Sequence, residues 1–243
     1  MQKGILTIAF DDGYLETYKR AITYIDKYGI KSTLSVPAGL IGKTCEKRPV
    51  VSWKDLENMV KNGHEIASHT LQHTKLKIKN QKSKIEIRNL KFEIEESKRI
   101  LDDKLAADIS SFVYPYMGEL PDKPIQDIVK NNYSSARISK NYPVFNSLPI
   151  KNPYNLNGFC VMKSHSIDFL NKQIEKALEE ELWLIEVFHL VGRKNTKSAH
   201  RNAPYRFFMH IDDFKTHIDF ILSKKIEIFT QGEVIKDCAY KSV

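Results

Sequence analysis

Ile5-Leu6-Thr7-Ile8-Ala9-Phe10-Asp11-Asp12-Gly13 opens the chain with a nearly continuous apolar run that stops on two adjacent carboxylates. The run has the length of a strand, and apolar side chains at both odd and even positions mark a strand buried on both faces. Such strands belong to parallel sheets covered by helices. The residues that follow agree with that reading. Tyr14 to Tyr28 places Tyr18, Ile22 and Ile25 on one helical face and stops at Gly29. Lys31 to Val36 predicts a second strand, closed by Pro37. Ser52-Trp53-Lys54-Asp55 predicts a helix start, with Ser52 as N-cap and Asp55 in the first turn, and the helix runs to Gly63. His64 to Ser68 predicts a third strand.

The alternation continues. A charged helix is expected over Lys82 to about Leu105, with Ile85, Leu90, Ile94 and Leu101 as its apolar face. Ser110 to Tyr114 predicts a strand that Pro115 stops, Ile125 to Lys130 a helix and Tyr133 to Ile138 a strand. Asn141 to Asn157 is rich in Asn and Pro and reads as a long loop, and Gly158 to Lys163 as an extended segment. Asp168 to Glu180 predicts a helix, Trp183 to Val187 a strand, Phe208 to Leu222 a helix and Ile226 to Thr230 the last strand. About seven βα units without a linker imply one α/β domain over residues 1–243, with parallel strands and no internal repeat. An open doubly wound sheet and a barrel both fit the alternation. Polar residues at the ends of several strands favour a distorted (β/α) barrel of about seven parallel strands, in which those ends share one face.

Composition narrows the function classes. With 42% hydrophobic and 28% charged residues in 243, the chain can build a full core and is not a disordered segment. The net charge of +8 is lysine-rich, with a cluster at Lys75, Lys77, Lys79, Lys82 and Lys84 that reads first as a solvated basic face. No aromatic-rich RNA motif or zinc finger accompanies the charge, so no nucleic acid partner is expected. The three cysteines, Cys45, Cys160 and Cys238, form no C-x-x-C unit and no disulfide scaffold. No apolar stretch reaches membrane-spanning length, so no stable membrane insertion is expected. Without a visible signal-peptide pattern the chain reads as cytoplasmic.

The strand ends carry the chemistry. Asp11 and Asp12 should point to opposite faces of a strand, but a turn at Gly13 can bring both to one cavity. Asp-Gly is also a common turn, and Asp can cap the following helix. His69-Thr70-Leu71-Gln72-His73 ends the third strand, and if these residues form a helical turn the two imidazoles share a side. The same pair also fits surface or packed histidines. Two histidines and one carboxylate match an open catalytic metal site, which keeps a position for water. His64, at the other end of that strand, reads as structural. His189 follows the apolar run Leu184-Ile185-Glu186-Val187-Phe188, and Tyr116 follows Pro115 at another strand end.

These motifs resemble those of the NodB-type polysaccharide deacetylases (carbohydrate esterase family 4). Thr7 to Gly13 is similar to the family's first motif, and His69 to His73 to its H-[S/T]-x-x-H motif. Tyr28-Gly29-Ile30-Lys31-Ser32-Thr33 and Asn62-Gly63-His64-Glu65-Ile66-Ala67-Ser68 match its phrasing between them. Tyr114-Pro115-Tyr116 is similar to the tail of its R-x-P-Y motif, and Leu184 to His189 to its late leucine-to-histidine motif. The resemblance implies one divalent metal, zinc first with cobalt or nickel as substitutes, and removal of N-acetyl groups from an N-acetylated carbohydrate. It implies Asp12, His69 and His73 as metal ligands, Asp11 as general base and His189 as general acid. The Tyr116 backbone N–H would help hold the oxyanion. Two departures stand out. Val113 occupies the place of the motif's Arg, which normally orients the base, and Arg137 at the end of the next strand is the candidate substitute. The fourth motif, whose Asp and Trp support the acid, has no clear match, and Asp168 lies in no convincing context. The alternatives are a non-catalytic glycan- or metal-binding barrel, or a deacylase of another small amide such as an N-formyl or lipid-linked amino sugar.

Overall fold

The computed structural model describes residues 4–78, 84–193 and 205–240. Its strands are β1 Ile5–Phe10, β2 Thr33–Val36, β3 Thr44–Cys45, β4 Arg48–Pro49, β5 Glu65–Ser68 and β6 Ser111–Val113. They continue as β7 Ser135–Lys140, β8 Leu156–Cys160, β9 Trp183–Phe188, β10 Leu190–Gly192, β11 Phe208–His210 and β12 Glu227–Ile228. Strands β1, β2, β5, β6, β7, β8 and β9 pair in that order, and β9 pairs back onto β1, closing a parallel barrel. The barrel is the fold expected from the polar strand ends, and its distortion has two visible causes. β2 pairs with β1 only at Ala9 and Phe10, while β12 takes the lower half of the same edge at Ile5 and Leu6. β5 and β6 meet at a single register pair, Ser68 with Phe112.

Strand parity sorts the core into two layers. Leu6, Ile8 and Phe10 of β1 face outward into the large cluster shared with the surrounding helices. Ala9 instead joins Leu156, Cys160, Trp183, Ile185 and Val187 in a smaller cluster inside the ring. Much of the remaining interior is small and polar. Glu65 accepts hydrogen bonds from Thr33 Oγ1 (2.7 Å), Ser111 Oγ (2.5 Å) and the Gly232 N–H (3.0 Å). Gly232 sits at the start of the helix Gln231–Tyr240, which closes the barrel floor, and a Cβ there would lie 2.7 Å from Glu65 Oε1. Burial pushes the Glu65 carboxyl above its ordinary value, against the pull of these donors. Outside the ring, Glu186 of β9 meets His217 of the helix Ile211–Ser223 at 2.9 Å, both fully buried, and His217 reaches Asn171 at 2.8 Å.

Several expected elements changed in detail. The helical stretch over residues 15–28 is α-helical at Leu15–Thr17, widens into a π turn at Tyr18–Ile22 and tightens to a 3-10 turn at Asp26–Tyr28. Gly29 then takes φ 71° and ends it, as the sequence suggested. Ser52 and Asp55 form a reciprocal capping box on the helix Trp53–Lys61. The extended segment after the long loop is Leu156–Cys160, two residues earlier than expected at its start. Phe208–His210 is a strand paired with β10, and the helix begins only at Ile211. His64 is structural: it bonds Asp26 at 2.7 Å and Ser32 at 2.9 Å, away from the strand end that carries His69. Part of the lysine cluster, residues 79–83, lies outside the described residues. Among the described residues no helix is long and apolar enough to cross a membrane.

Candidate metal and catalytic centre

Because the ring strands are parallel, their C-terminal ends deliver Asp11, Asp12, His69, Tyr116 and His189 to one mouth. These side chains and His73 line a cavity of about 600 Å³. Asp12, His69 and His73 are all buried, and one ligand atom from each falls within 4.8 Å of the others. Asp12 Oδ1 lies 3.1 Å from His73 Nε2 and 3.5 Å from His69 Nε2. The backbone turns this trio inward. Asp12 has φ 72°, so the twist that separates it from the strand begins one residue before Gly13. The segment from His69 to His73 is not a helical turn. Thr70 at φ 64° and His73 at φ 57° fold it back, which brings the rings to 4.8 Å between centroids. Left-handed backbone at non-glycine residues is costly and concentrates where function needs it.

The outer nitrogens explain how the trio is held. His69 Nδ1 lies 2.8 Å from the Val113 carbonyl, so Nδ1–H donates and Nε2 keeps its lone pair. His73 Nδ1 lies 2.8 Å from the Tyr116 hydroxyl and 3.5 Å from Cys45 Sγ. With the hydrogen on Nδ1 of both rings, the two Nε2 lone pairs and an Asp12 oxygen make a ligand set that fits one divalent cation. Burial opposes ionisation of Asp12, but the two histidines beside it hold its carboxyl well below the usual range.

Asp11 is buried beside this trio without joining it. Arg137 grips it with Nη2 at 2.6 Å from Oδ1 and Nη1 at 3.2 Å from Oδ2, and Ser35 Oγ donates to Oδ1 at 2.8 Å. The guanidinium thus comes from β7, where the sequence pointed, rather than from the Val113 position on β6. Burial raises the Asp11 pKa, yet Arg137, His69 and His189 together carry it below the ordinary 3.8. Arg137 reaches across because Gly158 leaves room: a Cβ there would sit 2.7 Å from Val187 Cγ2 and 3.0 Å from Arg137 Cδ. Gly158→Ala is expected to displace the guanidinium and lower turnover by about 10²-fold, read as kcat at saturating metal.

His189 stacks on Phe207 with ring centroids 4.7 Å apart and planes at 19°. Its Nδ1 is buried, with no hydrogen-bond partner among the described residues. Asp168 lies in the first turn of the helix Ile167–Glu179 and does not line the cavity. Tyr116 is 56% exposed, with left-handed backbone at φ 57°. Its hydroxyl also bonds Glu46 Oε1 at 2.7 Å. Ser35, Glu46, Gly158 and Phe207 were not singled out from the sequence. Ser35 and Gly158 lie on expected strands or extended segments, where inward parity could have flagged them, but Glu46 sits in a two-residue turn that carries no periodic signal.

Comparison with known proteins agrees with this fold. Residues 1–136 match the family model for polysaccharide deacetylase. A putative polysaccharide deacetylase of Bacillus subtilis (strain 168), YxkH, is 26% identical over 126 residues, 52% of this chain. That match spans only 41% of the YxkH length. The fold is similar to the Xyl-CE4 domain of a multidomain xylanase from the hindgut metagenome of Trinervitermes trinervoides, at TM-score 0.61 and 15% identity over 98% of this chain and 92% of that one. It is also similar to a family 4 acetyl xylan esterase from Clostridium thermocellum solved with a cobalt ion, at TM-score 0.59 and 14% identity over 96% of this chain and 90% of that one. With more than half of its residues under the family model, the chain belongs to the polysaccharide deacetylase family.

Proposed function

We propose that this protein is a metal-dependent hydrolase that removes the N-acetyl group of an amino sugar, free or within a polysaccharide. The observation that supports it most is the pairing of an Asp12–His69–His73 donor set with a separate carboxylate, Asp11, anchored by Arg137 in the same cavity. Two imidazole nitrogens and one carboxylate oxygen suit zinc, with cobalt or nickel as substitutes. Bound there, a divalent cation supplies polarisation of the amide carbonyl and a lowered pKa for water. Asp11, kept ionised by its partners, takes the proton of the attacking water. Arg137 and Ser35 hold the carboxylate in one orientation, turned to its own partners. The Tyr116 backbone N–H, at a left-handed turn on the cavity wall, serves as oxyanion donor. His189 donates the proton that lets the amine leave, with Phe207 holding its ring plane.

The Nδ1 of His189, without a hydrogen-bond partner among the described residues, favours a second reading, a barrel that binds a glycan without turning it over. An acetate-release screen separates the two. Metal-loaded protein is offered chitooligosaccharides, peptidoglycan fragments and nucleotide-linked amino sugars, with N-formyl analogues alongside. Release from at least one of these is the expected result. Binding without release from any, at full metal occupancy, would establish the non-catalytic barrel instead.

A further inference from the structure

We propose that Tyr116 and Glu46 form a side-chain bridge that holds His73 as a metal ligand, and that the strained β3–β4 turn is kept because it places Glu46. The proposal rests on the reading of Asp12, His69 and His73 as a cation site. Nothing in the motif resemblance points to Glu46.

The proton inventory of the bridge closes in one direction. For His73 Nε2, 3.1 Å from Asp12 Oδ1, to offer its lone pair to a cation shared with that carboxylate, Nδ1 must carry the hydrogen. Nδ1–H then donates to the Tyr116 oxygen at 2.8 Å, and the Tyr116 hydroxyl donates to Glu46 Oε1 at 2.7 Å. The phenol ring also packs on the imidazole, with centroids 4.3 Å apart. A second tyrosine, Tyr14, approaches the other Glu46 oxygen at 3.5 Å. His69 differs. Its outer nitrogen is tied to a main-chain carbonyl of the barrel wall, which cannot rotate away. The orientation of His73 depends instead on side chains: the Tyr116 hydroxyl at 2.8 Å, backed by Glu46, and the more distant Cys45 Sγ at 3.5 Å.

Backbone cost marks the same spot. Cys45 pairs with Arg48, so Glu46 and Lys47 are the two central residues of a tight hairpin turn, at φ 47° and 66°. Turns with both central residues left-handed favour Asn-Gly, and neither residue here is of that kind. Tyr116 and His73 are themselves left-handed, both at φ 57°. Three left-handed non-glycine residues, Glu46, Tyr116 and His73, thus meet in one hydrogen-bonded chain, and Lys47 completes the turn beside them, a pattern expected where geometry is retained at the expense of stability.

The test measures zinc affinity by chelator competition, without any substrate. Tyr116→Phe keeps the ring and the backbone N–H but removes the hydroxyl, and Glu46→Gln removes the charge at the far end. Each is expected to weaken zinc binding by about 10–100-fold, as for other groups behind a metal ligand. The double variant should be no weaker than the worse single one. A turn variant, Glu46→Asn with Lys47→Gly, is expected to raise the melting temperature of the metal-free protein while weakening zinc binding. A residue with only a structural role cannot move those two readouts in opposite directions. Zinc affinity within about twofold of wild type in both single variants would overturn the bridge alone. Failure of the wild type to take up zinc would overturn the cation site as well.

Discussion

Replacing Asp11 with Asn is expected to lower acetate release by about 10²–10⁴-fold while zinc content stays near one per chain. The substitution keeps the shape of the side chain and removes only its capacity to accept a proton. Its oxygen can still accept from Arg137 or Ser35, whose nitrogen and hydroxyl lie 2.6 and 2.8 Å away. Asn is the better probe than Ala here, because Ala would strand a fully buried guanidinium. Asp12, 3.1 Å from His73 Nε2, is the carboxylate that faces the histidines. Metal analysis beside the rate decides the assignment: a variant that loses zinc would make Asp11 a ligand and reverse the roles of the two aspartates.

Arg137→Met is expected to have the largest effect on the protein as a whole. The guanidinium and the carboxylate it grips are 0% and 3% exposed, so the variant leaves a buried charge without its partner. Breaking such a pair costs about 3–5 kcal/mol, measurable by urea unfolding. The activity profile should change as well. Burial raises the Asp11 pKa, and Arg137 is the largest influence that lowers it. Without Arg137 the balance tips upward. A base works only when ionised, so activity is lost as pH falls through its pKa, and the acid limb of the variant's rate profile should move to higher pH. The stability contributed by the depressed carboxyl, present above its ordinary 3.8 and lost as pH falls below it, should also shrink. An acid limb unchanged from wild type would remove Arg137 from any role in setting the base.

How far these residues could be read without coordinates depends on the kind of signal each carries. Ile5–Phe10 came out with its observed bounds because a strand buried on both faces has few competing readings. Ser52 and Asp55 were legible because capping chemistry is local. The Asp12, His69 and His73 trio was legible as a motif, but the backbone that unites it was not. A helical turn was the expected means, whereas left-handed residues do the work, and nothing in side-chain spacing encodes a sign change of φ. Arg137 could be guessed from its strand end, but its reach across the barrel depends on Gly158, 21 positions away in sequence and on a different strand. The hairpin carrying Glu46 has two-residue strands, too short for any periodicity, and β10 and β11 were lost for the same reason.

The most direct test of the account is acetate release from a substrate identified in the screen, followed as chelator-treated protein is titrated with zinc. The account predicts release that starts at baseline, rises with added metal and levels at one equivalent per chain, with Asp12→Ala remaining at baseline throughout. Release that survives complete chelation, or its absence at full zinc occupancy, would contradict it.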